Sequence, residues 1–434
     1  MPSRPGRDES GAGPWTSPGP DWAAGSPPAG RCGGPAARAF MGGGTGAGQA
    51  TQKGGYPGMA WRWPRTGVDV GTTGVRWATY VPQTGRVEPN RQGGGGVVAA
   101  LPADQAVFRL VEMPPLPARE RKDALRWELQ RILPLPVDEA VYDWVELPTV
   151  DGEASQEPGG GAAVRAGGPG AADPVRFAVS GAAVAAVDQR LDALRRRRIR
   201  PAVLEPEWVT LWRCAWWLGC ARAEPAPVAV IDFGATSTRL AVVDPRGNPV
   251  AFHRSPVGGL ALEEDLVRTL GELPSAVRRL LASDGALGLE DLQRSQAVAS
   301  LLGDLARTLR RARAELGGPS SRLELWGIGG GAQWPPLREA VGEALGDRLR
   351  VTGAEGGADP LGALPPRWVM AGALALWGAD PARHRHRTAV AAATAGDDPT
   401  DGVDGSPRSM ARASASRAGG PGVGGRVDSH PSGA

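Results

Sequence analysis

At 434 residues the chain is long enough for two or more domains with a sizeable core. Its 49 basic and 46 acidic residues nearly balance, which gives no footprint for nucleic-acid binding. Three scattered cysteines and four histidines exclude a zinc site and a disulfide framework, and no apolar run reaches the length of a membrane span. These limits predict a cytoplasmic protein that binds no nucleic acid and has no membrane span of its own.

The 64 glycines and 41 prolines of the chain are concentrated in three stretches. Such stretches cannot bury enough apolar surface to offset the entropy lost on ordering. We therefore predict a disordered leader (1–63), a disordered loop (151–174) and a disordered tail (379–434). Met59, just before the first predicted strand, is a second candidate for the start of translation.

The first half of the predicted fold begins with a strand, a tight glycine turn and a second strand at 66–81. Leu125, Leu129 and Leu133 lie four residues apart, which predicts a helix with one buried face. Further strands are predicted at 106–114, 137–147, 175–182 and 199–206, and helices at 117–133, 182–198 and 208–221. The strand at 175–182 is expected to pair with the one before it.

A proline-marked link at 223–227 separates this half from a second one that starts in the same way. The segment 226–244 repeats an Asp-x-Gly turn, small hydroxyl residues, an arginine and an apolar strand. Beyond it the sequence predicts a strand at 250–259, helices at 260–284 and 290–317, a strand, triple-glycine turn and helix at 323–345, and an apolar helix at 367–378. The repeat predicts two similar α/β domains that face one another.

The two glycine turns carry the residues that a phosphate chain needs. Glycine offers backbone N–H donors with no side chain in the way, and threonine hydroxyls are further donors. The aspartate before each glycine can hold Mg²⁺, directly or through water. The first predicted loop contains Asp69, Gly71, Thr72 and Thr73, and the second contains Asp232, Gly234, Thr236 and Thr238. One such turn alone is more often an ordinary hairpin, whereas two in matching frames favour a nucleotide between two domains.

Two further features are candidates for the same site. Gly329, Gly330 and Gly331 lie between a predicted strand and helix, where backbone can approach an adenine or ribose closely, although a triple glycine is also typical of a linker. Glu205, at a strand end before a helix, is a candidate for orienting an attacking water. An acid that interacts with the helix dipole explains Glu205 equally well.

Two Asp-x-Gly loops, a Glu-Pro before a helix and a late triple-glycine turn, in that order, resemble the actin/DnaK-type/sugar-kinase superfamily. Within it, the chain is similar to the PilM family of type IV pilus assembly proteins, an FtsA-like branch. Three stretches carry this closer match: 112–144, 230–243 and 254–259. The first is the most specific, because general sugar kinases and chaperones have nothing like it. The resemblance covers about 66–378.

The resemblance implies an α/β, actin-like two-domain ATPase fold with duplicated ribonuclease-H-like cores. The first implied domain is 64–225 and carries an inserted FtsA-like small subdomain at about 84–176. The second is 226–378, with a helical subdomain at about 260–320.

The resemblance also implies ATP and Mg²⁺ at the three glycine turns, with Asp69 and Asp232 holding the ion. Asp69, Glu205 and Asp232 are the candidate catalytic residues. Arg76 ends the first loop where the family usually has lysine. Arginine and lysine are not interchangeable beside phosphate, so turnover stays open and slow ATP hydrolysis is the most that is expected.

PilM-like proteins bind the cytoplasmic N-terminal peptide of the membrane protein PilN in a groove by the small subdomain. The groove is expected around Trp127, Ile132, Leu135 and Val137, although core packing explains these residues equally well. The implied function is a nucleotide-gated scaffold for pilus assembly, or for a related secretion or competence machinery. PilN-like and other inner-membrane components would hold it at the inner face of the membrane, and self-association is left open. The alternatives are a sugar-type kinase of the same superfamily and a scaffold that has lost hydrolysis.

Overall fold

The structure, a computed structural model, describes residues 65–379 apart from 91, 93–95, 148–173, 221–223, 285–286, 319–320 and 354–358. The predicted leader (1–63) with Met59, and nearly all of the predicted loop (151–174) and tail (379–434), lie outside the described residues. The domain limits inferred above stay predictions.

The first half contains a five-stranded sheet in the order β3-β2-β1-β4-β8. Its strands are β1 (Thr66–Gly71), β2 (Gly74–Val81), β3 (Arg86–Pro89), β4 (Val97–Leu101) and β8 (Val203–Pro206). Strand β2 is antiparallel to both β1 and β3, whereas β4 runs parallel to β1 and β8 parallel to β4. The predicted strand, glycine turn and strand at 66–81 are confirmed as β1 and β2.

The second half repeats this arrangement in a sheet of order β11-β10-β9-β12-β13. Its strands are β9 (Val228–Phe233), β10 (Thr238–Val243), β11 (Pro249–Ser255), β12 (Glu324–Gly329) and β13 (Leu349–Val351). Here too the first three strands are antiparallel and the last two join in parallel. The internal repeat in the sequence is therefore a repeat of sheet topology.

A third, three-stranded antiparallel sheet lies between β4 and β8 in chain order. It consists of β5 (Val107–Met113), β6 (Ala140–Glu146) and β7 (Val175–Ala183), in the order β5-β7-β6. The predicted pairing of the strand at 175–182 with the one before it is confirmed. Helix α1 (Ala118–Ile132) packs its buried Leu125, Leu129 and following Leu133 into the core of this sheet, as their spacing predicts.

The remaining helices cover the sheets and connect them. They are α2 (Val184–Arg196), α3 (Glu207–Ala215), α4 (Gly259–Leu270), α5 (Pro274–Ala282), α6 (Leu289–Gln293), α7 (Gln296–Glu315), α8 (Pro335–Leu345) and α9 (Val369–Ala375). The predicted helix at 260–284 is two helices, because Gly271 ends α4 in a left-handed conformation and Pro274 starts α5. The predicted helix at 290–317 is also two, because the Ser295 hydroxyl caps the start of α7.

Helices α3 and α9 bring the two large sheets into contact with a common core. This core contains Ala78 of the first sheet, Val230 and Trp326 of the second, and Ala371 of α9. A side chain at Gly67 in β1 would collide with the α9 backbone, so the last helix packs closely on the first strand. The carboxyl ends of β1 and β9 consequently face the same space. None of the described helices is both long enough and apolar enough to cross a membrane.

Candidate functional site

A cavity of about 530 Å³ lies between the two large sheets. The turn from β1 to β2 forms one wall, and the turn from β9 to β10 faces it. The triple-glycine turn after β12 closes a third side. Its volume lies within the range of small-molecule sites in proteins.

Most residues that the sequence singled out line this one cavity. They are Asp69, Gly71, Thr72, Thr73, Arg76, Asp232, Gly234, Thr236, Gly329, Gly330 and Gly331. Glu205 and Thr238 are not among the lining residues, and neither are Trp127, Ile132, Leu135 and Val137. The structure thus brings together three glycine turns that are far apart in the sequence.

Thr238 supports the second turn from behind instead of facing the cavity. Its buried hydroxyl donates to the carbonyl oxygen of Val257 at 2.8 Å. The backbone N–H of Gly259 donates to the carbonyl oxygen of Gly234 at 2.9 Å, and that of Leu260 donates to Ala235 at 2.9 Å. The segment 254–259, which carried part of the family resemblance, therefore holds the β9–β10 turn in place.

Glu205 was a candidate for orienting a water in the cavity, but it does not line the cavity. Its carboxylate is fully buried, and Arg213 donates to both oxygens at 2.6 and 2.7 Å. The Thr210 hydroxyl donates to the same group at 2.8 Å. Glu207, at the first position of α3, lines the cavity in its place. The two glutamates differ because Glu205 is still part of β8, whereas Glu207 lies beyond the end of that strand.

Arg239 connects two carboxylates at the centre of the site, although the sequence did not predict it as a site residue. Its two terminal nitrogens pair with Glu207 and with Asp232, and the side chain is largely buried. The Nε of Arg239 finds no acceptor within the part of the chain that the structure describes. Burial lowers the pKa of Arg239, but Asp232 and Glu207 outweigh this and hold the pKa above its usual value. The repeat itself could have revealed this residue, because Arg239 faces Asp232 across two strands as Arg76 faces Asp69.

Asp69 has weaker compensation for its charge. The nearest cationic group is Arg76, whose NH1 atom lies 3.8 Å from Oδ2 of Asp69. Arg76 also donates to the Thr73 hydroxyl at 3.2 Å. Burial, together with the nearby charges of Glu207 and Asp232, raises the pKa of Asp69 to about 6.

The cavity wall is rich in arginine. Six arginines and five carboxylates are among the described lining residues, so the fully ionised wall has a net charge of 6 − 5 = +1. The arginines are Arg76, Arg190, Arg197, Arg239, Arg254 and Arg367, and the acids are Asp69, Asp104, Glu207, Asp232 and Glu263. Leu260 and Trp334 are apolar members of the lining, and the ring of Trp334 lies against Gly259.

Comparison with known proteins supports the fold. No family model matches the chain, and no curated protein matches it. The structure described as the PilM-PilN type IV pilus biogenesis complex is similar, with a TM-score of 0.52, 21% identity, and coverage of 74% of this chain and 100% of that chain. Lower TM-scores relate it to the ethanolamine utilization protein EutJ from Carboxydothermus hydrogenoformans (0.35, 15% identity, covering 72% of this chain and 89% of that chain). The cytoplasmic domain of EpsL, an inner membrane component of the type II secretion system of Vibrio cholerae, also matches, with a TM-score of 0.28 and 14% identity. The match covers 48% of this chain and 78% of that chain.

The likeness to the PilM structure concerns the fold, since the identity is low. Both large sheets have the same topology, three antiparallel strands followed by two parallel ones, as a duplication of one core predicts. The resemblance to PilM that the sequence motifs predicted is therefore confirmed at the level of the fold, and the chain has an actin-like α/β fold.

Proposed function

We propose that this protein is a nucleotide-binding scaffold of type IV pilus assembly or of a related secretion machinery, with ATP bound in the cavity between its two large sheets. One observation carries the proposal: two Asp-x-Gly turns and a triple-glycine turn, from three separate parts of the chain, line a single cavity.

The chemistry of the cavity suits a nucleotide. Glycine turns expose backbone N–H groups to a phosphate chain, and the six lining arginines outnumber the five lining carboxylates by one. The apolar surface of Leu260 and Trp334, beside the triple-glycine turn, suits a base. Close approach is favoured there, because Gly330 has open space where a side chain would project.

The proposed partner is the N-terminal peptide of a PilN-like membrane protein, which would hold this protein at the inner face of the membrane. The similar structure is a PilM-PilN complex, which supports this choice of partner. Trp127 on α1 is 74% exposed, as expected of an aromatic anchor for a peptide, whereas Val137 is buried in the core of the small sheet. The other two residues of the predicted groove, Ile132 and Leu135, are half-buried.

We do not propose a sugar-type kinase. A kinase needs a carboxylate that can accept a proton from a bound hydroxyl. Glu205 is held by Arg213, and Glu207 is held by Arg239 and by the backbone N–H of Ala103. Asp69 is the candidate acid left to accept a proton, and its loose pairing with Arg76 at 3.8 Å does not by itself point to a sugar, so we favour a scaffold that hydrolyses ATP slowly or not at all.

The predicted Mg²⁺ does not fit the residues assigned to it. Asp232 Oδ2 accepts a hydrogen bond from Arg239, and Oδ1 lies against Gly329, where any side chain would collide with it. Within the described ranges, no three His, Cys, Asp or Glu side chains are grouped so that they could hold a metal ion by themselves, so an ion here would depend on the nucleotide and on water for part of its coordination. We therefore assign no divalent ion to Asp232.

ATP binding can be tested with a substitution that fills the cavity without disturbing the fold. Gly330 has a helical backbone and open space around its missing side chain, so Gly330→Val should fold. We expect calorimetric titration to show ATP binding to the wild type and at least a tenfold loss of affinity, about 1.4 kcal/mol, in this variant. Gly303→Ala on α7, outside the cavity, is the matched control and should bind as the wild type does. No heat of binding in the wild type would refute the proposed nucleotide site.

Partner binding can be tested with a matched pair of exposed apolar residues. Trp127 and Leu273 are 74% and 72% exposed, so neither Trp127→Ala nor Leu273→Ala should change the melting temperature by more than a degree or two. Fluorescence anisotropy with a labelled N-terminal peptide of the PilN-like protein should show loss of affinity for Trp127→Ala alone. Equal affinities of the two variants would exclude a groove at Trp127.

A further inference from the structure

The repeat places one arginine from each large sheet at the cavity. Arg76 in β2 lies across the strand pair from Asp69, and Arg239 in β10 lies across from Asp232 in the same register. Both arginines line the cavity beside their glycine turns. Two cationic side chains, one from each large sheet, thus line the proposed phosphate site.

Arg239 occupies the space between two carboxylates of the site, those of Asp232 and Glu207. It pairs with Asp232 on one side and with Glu207 on the other, and only 13% of its side chain is exposed. Glu207 also accepts the backbone N–H of Ala103 at 2.8 Å, which fixes its carboxylate further. A divalent cation would have to displace this guanidinium or lie next to its positive charge.

A phosphate chain would supply hydrogen-bond acceptors for the donor groups of these two arginines that lack a close partner. The buried Nε of Arg239 lacks an acceptor among the described residues, and a phosphate oxygen is a suitable one. Both guanidinium groups keep their charge at every relevant pH, and that of Arg76, which has no close carboxylate partner, can bind phosphate through two parallel hydrogen bonds. Arg76 pairs with Asp69 only loosely, at 3.8 Å, so it is able to turn to an anion in the cavity.

We propose that Arg76 and Arg239 take the place of the divalent cation, so that the cavity binds the polyphosphate of a nucleotide without Mg²⁺. This inference rests on the proposed nucleotide-binding function. It concerns only how the negative charge of the phosphates is neutralised.

The test is a calorimetric titration of the full chain with ATP, once with excess Mg²⁺ and once with excess EDTA. The expected result is a dissociation constant that differs by less than about threefold between the two conditions. Binding that weakens at least tenfold in EDTA would overturn the inference and leave the proposed function standing. Absence of binding in both conditions would refute the proposed function, and this inference with it.

A pair of variants locates the effect. Arg76→Gln should weaken ATP binding in EDTA at least tenfold, since it removes one of the two cations. Arg350→Gln is the matched control, because Arg350 also pairs with a carboxylate on a strand, Glu324 at 3.2 Å, but lies outside the cavity. Equal affinities of the two variants in EDTA would overturn the assignment. The comparison of wild type with and without EDTA decides the proposal even if a variant does not fold.

Discussion

The carboxylate of Asp69 is kept in a place that disfavours its charge. Burial is the main reason, and the charges of Glu207 and Asp232 add to it, while Arg76 lies 3.8 Å away. Groups with perturbed pKa values concentrate at functional sites. Asp69 therefore reduces the stability of the free protein.

This cost leads to a prediction on pH. The pKa of Asp69 is about 6 in the folded protein and 3.8 in the unfolded chain, so the folded state binds the proton more tightly and loses stability as the pH rises from about 4 to about 6. At pH about 7.5 the cost is about 3 kcal/mol, and at pH about 5 about half of that. Urea unfolding should show Asp69→Asn gaining about 1.5 kcal/mol relative to the wild type between these two pH values.

The control for this prediction is an aspartate on the surface. Asp192 is 59% exposed and pairs with Arg195 on α2, so Asp192→Asn should keep the pH dependence of the wild type. If the free energy of unfolding depends on pH in the same way in Asp69→Asn and Asp192→Asn, the charge of Asp69 is compensated in a way that the folded contacts do not explain.

At this scale the sequence could predict some site residues and not others. Asp69 and Asp232 stand out because Asp-x-Gly occurs twice between apolar strands, and the register of the repeat brings both to the cavity. Glu205 and Glu207 could not be told apart, because the choice depends on where β8 ends and on the distant partner Arg213. Arg239 belongs to the repeat but was given no role there, since 47 of the 49 basic residues are arginine and one more carries little signal by itself.

At the scale of elements, the segment after β11 acts as a brace for the second glycine turn. Thr238 donates to Val257, and the backbone of Gly259 donates to Gly234, so the turn is fixed from the side away from the cavity. Gly258 is required there, because a side chain would collide with the backbone of Thr236 and Ser237. Phosphate binding by backbone N–H groups depends on such a fixed turn.

Removing one hydroxyl group should weaken this brace. Thr238→Val keeps the side-chain shape and removes the buried hydroxyl, which should cost about 1–2 kcal/mol of stability. We also expect ATP affinity to fall severalfold, because the turn that holds the phosphates is less fixed. Thr269→Val is the matched control: its hydroxyl donates to a carbonyl oxygen at a similar 2.9 Å, but in α4 and away from the cavity. Calorimetric titration of both variants should show reduced affinity for Thr238→Val alone, and equal affinities would contradict the role of the brace.

The elements differed in how far the sequence could predict them. The four-residue spacing of Leu125, Leu129 and Leu133 predicted α1 correctly, since one buried face is a local pattern. Strand β4 was missed, although it lies between β1 and β8 in the first sheet. Its five residues follow a glycine cluster and are apolar throughout, so they show no alternation, and only the parallel pairing with neighbours fixes them as a strand.

At the scale of the whole molecule, the two repeated halves are connected by more than the cavity. Helix α9, at the end of the described chain, packs against β1 and β2 of the first sheet and shares a core with Val230 and Trp326 of the second. Helix α3 contributes Leu211 and Cys214 to the same core. A rearrangement of either half on nucleotide binding would therefore have to move against this shared core.

The shared core predicts that the two halves unfold together. Gly67 in β1 lies so close to α9 that a methyl group would collide with the carbonyl oxygen of Ala371, so Gly67→Ala should push the last helix away and cost at least about 3 kcal/mol. Gly71→Ala in the same strand is the matched control, because the space around Gly71 is open. Calorimetry without nucleotide should give a single transition for both variants, lowered by about 5–10 °C in Gly67→Ala and unchanged in Gly71→Ala. Two separate transitions in Gly67→Ala, with the second at the wild-type temperature, would mean that the second half is stable without the first and that α9 does not couple them.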